Sequence, residues 1–309
     1  MTPKGSSDKL PTPGAAPTTP STDPARGGAP LVAAPRPVAL ITGASAGIGR
    51  EFALFLAEKG HDLVLIARRE DRLVEVKKTV SERFGARAMV IPEDLSHAAA
   101  PRRIADTMRA SGLEIDVLVN NAGYAVKGSF LSVDWATHAD FIAVMTTSWI
   151  HLTHLFVPSM VRRGRGRIIN VSSLASLAPE PPGSLYAPTK YMMTSASRSL
   201  RLELLGTGVH CTALCPGFTY TEFHDVLGVR DEMNSLPKYM WQEARPVVEA
   251  GWRGVERNEA VVVPGAFNRF AAFWCKVLPY GLTSRMLPKA VAERATRGEG
   301  ERPKDGRPR

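Results

Sequence analysis

The sequence predicts an α/β fold: a doubly wound, seven-stranded parallel sheet covered by helices on both faces. Three observations predict it. Apolar runs of four to five residues recur between residues 36 and 265. Segments with helical apolar spacing separate them. A glycine-rich stretch, Thr42-Gly43-Ala44-Ser45-Ala46-Gly47-Ile48-Gly49, follows the first run directly. Strands buried on both faces read as continuous apolar runs, because neither face meets water.

The first strand is Val38–Ile41, and an amphipathic helix runs from the glycine loop to Lys59. Leu63–Ala67 is the second strand. Asp71–Phe84 has helical spacing, with Leu73, Val76 and Val80 on one face. Ala88–Ile91 is the third strand, and after another helix Ile115–Val119 is the fourth. Ser132–Met160 is a long helix, Arg167–Val171 the fifth strand and Leu185–Leu205 the next helix. Val209–Leu214 and Glu259–Val263 are strands six and seven. Residues 266–292 form an apolar and basic helical extension. Residues 1–35 are rich in Pro, Thr and Ala, and 293–309 form a basic tail. Neither carries enough apolar surface to offset its ordering entropy, so both are expected to be disordered.

The 309 residues are 44% hydrophobic and 22% charged, an ordinary soluble composition. The net charge of +9 comes from scattered cations, without a basic-aromatic module or zinc-finger spacing. Nucleic acid is therefore not the expected partner; an anionic cofactor or an anionic membrane surface accounts for the excess. Cys211, Cys215 and Cys275 contain no C-x-x-C pair and read as buried small hydrophobes in a reducing compartment. No uninterrupted apolar run is long enough to span a bilayer, and the N-terminus lacks the order of a secretory signal. A cytoplasmic location is expected, and no metal site.

Gly43, Gly47 and Gly49 follow a strand and open a helix, the pattern of a Rossmann dinucleotide loop. Such glycines let the backbone approach a pyrophosphate at a helix N-terminus. Ser45 and Ile48 belong to the same loop. NAD-binding sites of this kind place an acid about twenty residues on, at the ribose hydroxyls. This chain has Arg68-Arg69 at the end of the second strand instead, and Arg68 is assigned to a 2′-phosphate. NADP(H) is the expected cofactor.

Further motifs follow in order: Asp94-Leu95 after the third strand, Asn120-Asn121-Ala122-Gly123 after the fourth, Ser173, Tyr186 with Lys190, and Pro216-Gly217 after the sixth. With the glycine loop, this set resembles the short-chain dehydrogenase/reductase family over residues 37–265. Within that family the chain resembles NADP-preferring acyl and ketosteroid reductases. The resemblance implies that Asp94 and Leu95 contact adenine and that Asn121, Ala122 and Gly123 line the cofactor. It also implies that Pro216, Gly217 and Thr219 lie along the nicotinamide. Asn120 reads as a fold-stabilising residue.

The chemistry of the set can be argued independently. Hydride transfer to a carbonyl leaves an alkoxide that needs a proton. A phenol with a pKa near 10 ionises too little near neutrality, and an adjacent ammonium lowers that pKa. Tyr186 and Lys190 are one helical turn apart and point the same way. Tyr186 is thus expected as general acid or base, Lys190 as the group that tunes it and holds the ribose, and Ser173 as the hydroxyl orienting the substrate carbonyl. Ser172 is the structural alternative. One position departs from the family: Met145 stands where an Asn of the proton relay is expected. A thioether cannot replace an amide as polar partner, although the backbone carbonyl that holds the relay water in the family is retained. The leading reading is an oxidoreductase moving a hydride between NADP(H) and a hydrophobic carbonyl or secondary alcohol. The alternative is a catalytically weak NADP(H)-binding sensor or scaffold.

Specificity is expected in an apolar substrate lid over 218–241, which suits a lipid-like, steroid-like or aromatic ketone alike. In 266–287 an apolar stripe of Phe267, Phe270, Phe273, Trp274, Val277 and Leu278 is interspersed with Arg269, Lys276 and Arg285. A helix capping the pocket or joining subunits of a homo-oligomer is the favoured reading, and peripheral membrane contact is the alternative.

Overall fold

Apolar segments of the chain alternate between strand and helix, as a computed structural model shows for residues 36–126, 128, 130–178, 185–221 and 237–279. The order is β1 (Val38–Thr42), α1 (Gly47–Glu58), β2 (Asp62–Ala67), α2 (Glu70–Phe84), β3 (Ala88–Pro92), α3 (Ala100–Ala110) and β4 (Val117–Asn120). There follow α4 (Trp135–Ile142), a π-helical turn (Ala143–Thr147), α5 (Ser148–Arg162), β5 (Gly166–Val171), α6 (Tyr186–Glu203) and β6 (Val209–Leu214). The chain continues through β7 (Phe218–Thr219), β8 (Trp241–Gln242), α7 (Ala244–Glu256), β9 (Val261–Val262) and α8 (Ala266–Val277). The expected tails, residues 280–292 of the extension and residues 222–236 of the lid lie outside the described residues.

Seven strands form one sheet in the order β3-β2-β1-β4-β5-β6-β9, and all its pairings are parallel. Alternate residues of each strand feed opposite faces. Ala39 and Ile41 enter the core beneath α1, α2 and α7, which holds Phe52, Leu73, Val80, Val248 and Val255. Val38 and Leu40 enter the core beneath α3, α5 and α6, with Ile104, Met108, Leu152, Phe156 and Met160. Strand order reverses between β1 and β4, which opens a crevice at the carboxyl ends of those strands.

Two features depart from the sequence reading. Phe218–Thr219 and Trp241–Gln242 pair as a separate two-stranded parallel sheet at the two ends of the expected lid. The helical run Trp135–Arg162, 28 residues with a mean hydropathy of 1.2 over its most apolar stretch, is long and apolar enough to cross a membrane by length and composition. Polar residues such as His151, Thr153 and His154 interrupt its apolar sequence without interrupting its helix, so no continuous run is visible in the sequence. Its Phe141, Met145, Leu152, Phe156 and Met160 are buried within the fold.

Candidate active site

The glycine loop and the turn after β4 are interlocked. Gly43 and Gly47 have φ of +66° and +54°, a backbone region open mainly to glycine. The Asn121 side-chain amide donates to the Thr42 carbonyl at 2.9 Å and the Gly43 carbonyl at 3.2 Å. Thr42 Oγ1 in turn accepts from the Asn121 and Ala122 backbone N–H groups, both at 3.0 Å. A methyl on Gly49 would stand 2.2 Å from the Gly43 carbonyl oxygen and 2.4 Å from Asn121 Nδ2. Helix α1 begins at this loop with Ala46 as its N-cap, so no side chain caps its first-turn N–H groups, and its first turn has no acid. Glycines that admit close approach and uncapped helix N–H groups fit a pyrophosphate.

At the end of β2, Arg68 Nη1 lies 3.9 Å from Asp94 Oδ2. The two residues line an open cavity of about 230 Å³ with Pro92, Glu93 and His97. Burial raises the pKa of Asp94, but the backbone and side chain of Ser96 together with Arg68 outweigh it and hold the carboxyl below its ordinary value. The second arginine turns the other way: Arg69 Nη2 reaches Ser45 Oγ of the glycine loop at 3.5 Å. The sequence reading chose Arg68. The structure sets Arg68 beside Asp94 and puts Arg69 in contact with the glycine loop.

Ser173, Tyr186 and Lys190 are brought together from two segments. Ser173 caps the short 3-10 turn Leu174–Ser176, accepting from the Ala175 N–H at 3.1 Å, and its hydroxyl is hydrogen-bonded to the Tyr186 phenol. Tyr186 opens α6, where Pro188 falls within the first turn and breaks no helical bond. Lys190 Nζ is 5.8 Å from the Tyr186 ring centroid and donates to the Val171 carbonyl at 2.7 Å. Ser172 is used differently: its buried hydroxyl donates to the Lys190 carbonyl at 2.9 Å and meets Thr194 Oγ1 at 2.7 Å.

The electrostatics correct one expectation. The Tyr186 phenol is pushed above its ordinary pKa, not below it. Burial dominates, the Ser173 bond offsets part of it, and Cys215 adds to the rise. The Lys190 ammonium, bonded to the Val171 carbonyl, does not reverse this rise. Burial lowers the Lys190 pKa to about 8, against a small opposing effect of Cys215.

Met145 is buried beside Gly123, close to Lys190. Its Sδ is 3.1 Å, and Lys190 Nζ 3.6 Å, from the point where a Gly123 Cβ would stand. The thioether also accepts the Tyr124 backbone N–H at 3.4 Å, so it does serve as a weak polar partner. Its carbonyl accepts from Trp149 Nε1 at 2.9 Å. The sequence reading missed Trp149, although it sits four residues on and so shares a helical face with Met145.

Two further placements bear on the site. Asn120 Nδ2 donates to Thr153 Oγ1 and Asn170 Oδ1, and Asn170 Nδ2 to Ser197 Oγ, a buried network across β4, β5, α5 and α6. This accords with a fold-stabilising Asn120. Gly217 packs directly on Asn268 of α8, whose amide nitrogen would be 2.5 Å from a Gly217 Cβ. Cys211 and Cys215 are buried free thiols.

This fold and site define a dinucleotide-binding oxidoreductase of the doubly wound class. Residues 37–230 match the family model described as short chain dehydrogenase, and the chain belongs to that family. It is 36% identical over 223 residues to the NADP-dependent 3-hydroxy acid dehydrogenase YdfG of Salmonella typhi, covering 70% of this chain and 87% of that protein. It is 34% identical over 188 residues to the very-long-chain 3-oxoacyl-CoA reductase of Rattus norvegicus, covering 60% of each chain. Among solved structures it resembles a short-chain dehydrogenase from Sphingobium yanoikuyae in complex with NADPH. The TM-score is 0.69 and the identity 33%, with 77% of this chain and 92% of that one covered. The protein is an oxidoreductase that acts on a hydroxyl or carbonyl group with NAD(P)(H).

Proposed function

We propose that the protein is an NADP(H)-dependent reductase of hydrophobic carbonyls, running in reverse as a secondary-alcohol dehydrogenase. The observation that carries the reading is the Tyr186 phenol bonded to Ser173 and flanked by the Lys190 ammonium. Bound NADPH supplies the hydride. Ser173 donates to the substrate carbonyl oxygen and polarises it. Tyr186 gives its phenolic proton to the same oxygen as the carbonyl carbon is reduced, leaving a phenolate that the Lys190 ammonium stabilises. Arg68 and Arg69 favour the 2′-phosphate of NADP(H), a preference in line with the NADP-dependent relative.

A hydrophobic substrate is supported by the aromatic cluster at the ends of the lid. There Tyr220 stacks on Trp241 with centroids 4.8 Å apart, and Phe218 lies 5.7 Å from the same ring. The acyl-CoA reductase among its relatives points the same way. A panel of aliphatic, steroidal and aromatic ketones, followed by NADPH absorbance, tests the reading with Tyr186→Phe as control. Turnover of any member that Tyr186→Phe abolishes supports it, and equal turnover by both proteins overturns the assignment of Tyr186.

The bond between Trp149 and Met145 favours a second reading. A carbonyl already occupied by an indole N–H holds a relay water less well, which fits a slow enzyme or an NADP(H)-binding sensor. Tight NADPH binding without turnover on the panel would select it.

A further inference from the structure

Helix α8 is attached to the protein by one side of its first turn. Asn268 is its single buried residue. It donates to Gln242 Oε1 and the Pro264 carbonyl, each at 3.0 Å, and packs on Gly217. Tyr239 meets Phe267 edge-on at 5.1 Å. On the opposite side Phe270, Phe273, Trp274 and Val277 are 63%, 58%, 42% and 57% exposed, and Phe267 is 39% exposed. Phe270 and Phe273 lean on Trp274, with centroids 6.0 and 5.7 Å apart. At 100° per residue, Phe270, Trp274 and Val277 share one stripe, and the exposed Arg269 and Lys276 lie together along its edge.

The charge along this stretch of sequence is one-sided. Between Glu259 and Glu293 the sequence contains no Asp or Glu, but it contains Arg269, Lys276, Arg285 and Lys289. A second copy docked isologously would set the Arg269 and Lys276 side of the helix against itself, since a two-fold axis presents the same patch from both sides. An anionic lipid surface complements both features. Aromatic side chains settle at the headgroup boundary and cations pair with the headgroups, the composition of an interfacial helix that lies on a bilayer without crossing it.

We propose that α8 is a membrane-docking element that seats its Phe270–Trp274–Val277 stripe in an anionic lipid surface. Because Asn268 ties the helix to Gly217 and Gln242, docking brings the bilayer to the loops flanking the cofactor crevice. A lipophilic carbonyl would then enter from the membrane, a consequence that rests on the proposed reductase function. Binding itself does not depend on that function.

The test is co-sedimentation of the full chain with phosphatidylcholine vesicles, with and without phosphatidylglycerol, at low and high salt. The bound fraction should be at least tenfold higher on phosphatidylglycerol vesicles and should fall with salt. Both Phe270→Glu/Trp274→Glu and Arg269→Glu/Lys276→Glu should lose binding while keeping the parent's melting temperature and NADPH affinity. Failure of the parent to pellet with either vesicle overturns the proposal. So does undiminished binding by the charge-reversed variant, or a parent dimer that the Phe270→Glu/Trp274→Glu variant dissociates without any lipid binding. Vesicle binding with no turnover on the ketone panel would leave the docking element standing and overturn the reductase reading alone.

Discussion

The indole N–H of Trp149 donates to the Met145 backbone carbonyl at 2.9 Å, one turn along the helix that carries Met145 past Gly123 and Lys190. The family resemblance gives that carbonyl to a relay water. Here one of its two lone pairs is engaged by the protein itself. Trp149→Phe removes the donor and keeps most of the ring volume. A net hydrogen bond is worth about 1 kcal/mol, so the carbonyl's competition for water changes by up to about fivefold. The expected outcome is a rise in kcat for carbonyl reduction within that limit and a smaller solvent isotope effect. A lower rate with an unchanged isotope effect would reduce Trp149 to a packing role.

Tyr186→Phe should lower kcat by about 10²–10⁴, the usual contribution of a positioned general acid. Its melting temperature should remain near the parent's, because Phe keeps the buried ring and gives up the hydroxyl with its bond to Ser173. Burial holds the phenol above its ordinary pKa. The proton donor therefore persists at neutral pH, whereas alcohol oxidation, which needs phenolate, should climb as pH rises. Paired pH profiles of the two directions check this.

Arg69 and Arg68 are separable. Arg69 touches Ser45 of the glycine loop, whereas Arg68 is an exposed partner of Asp94. A hydrogen bond to a charged group is worth about 1.5–3 kcal/mol. Arg69→Ala is thus expected to weaken NADPH binding by roughly ten- to a hundredfold and leave NADH nearly unchanged. Arg68→Ala should have a smaller effect on NADPH. Fluorescence titration of both reduced cofactors decides between them, and equal losses for the two cofactors would remove the 2′-phosphate from the account.

Gly49→Ala forces a methyl to within 2.2 Å of the Gly43 carbonyl oxygen, a backbone atom that cannot swing aside. Overpacking of this kind costs about 1–3 kcal/mol or more. The variant should melt at a lower temperature and lose NADPH binding, because the loop can relieve the contact only by leaving the turn after β4.

Lys190 makes stability depend on pH. Its folded pKa of about 8 lies below the ordinary 10.5. Below pH 8 both folded and unfolded chains carry the ammonium, and the burden of burying it, roughly 3 kcal/mol, is fully present. Between pH 8 and 10.5 the unfolded chain binds the extra proton, so stability rises with pH. Lys190→Met should therefore be more stable than the parent at pH 7, with the gap narrowing toward pH 10.5. Urea unfolding at the two pH values measures it, and a gap independent of pH would contradict the buried ammonium.

Much of the architecture follows from the sequence alone. Strand runs such as Leu63–Ala67 are apolar because both their faces are covered. Gly43, Gly47 and Gly49 between a strand run and a helical run mark the loop that opens α1, and Gly43 and Gly47 do sit at positive φ there. The one-turn spacing of Tyr186 and Lys190 already puts phenol and ammonium on one side of α6. Other properties arise only when distant segments meet. Burial, a tertiary quantity, raises Tyr186 where spacing alone suggests a lowered pKa. The thioether of Met145 becomes an acceptor because the segment after β4 brings the Tyr124 N–H to it, and its carbonyl is occupied because the helix sets Trp149 one turn away. The role of α8 divides in the same way. Its stripe and its missing acids are written in the sequence, but which side of the helix is held by Asn268, and which is left outward, is decided by packing on Gly217.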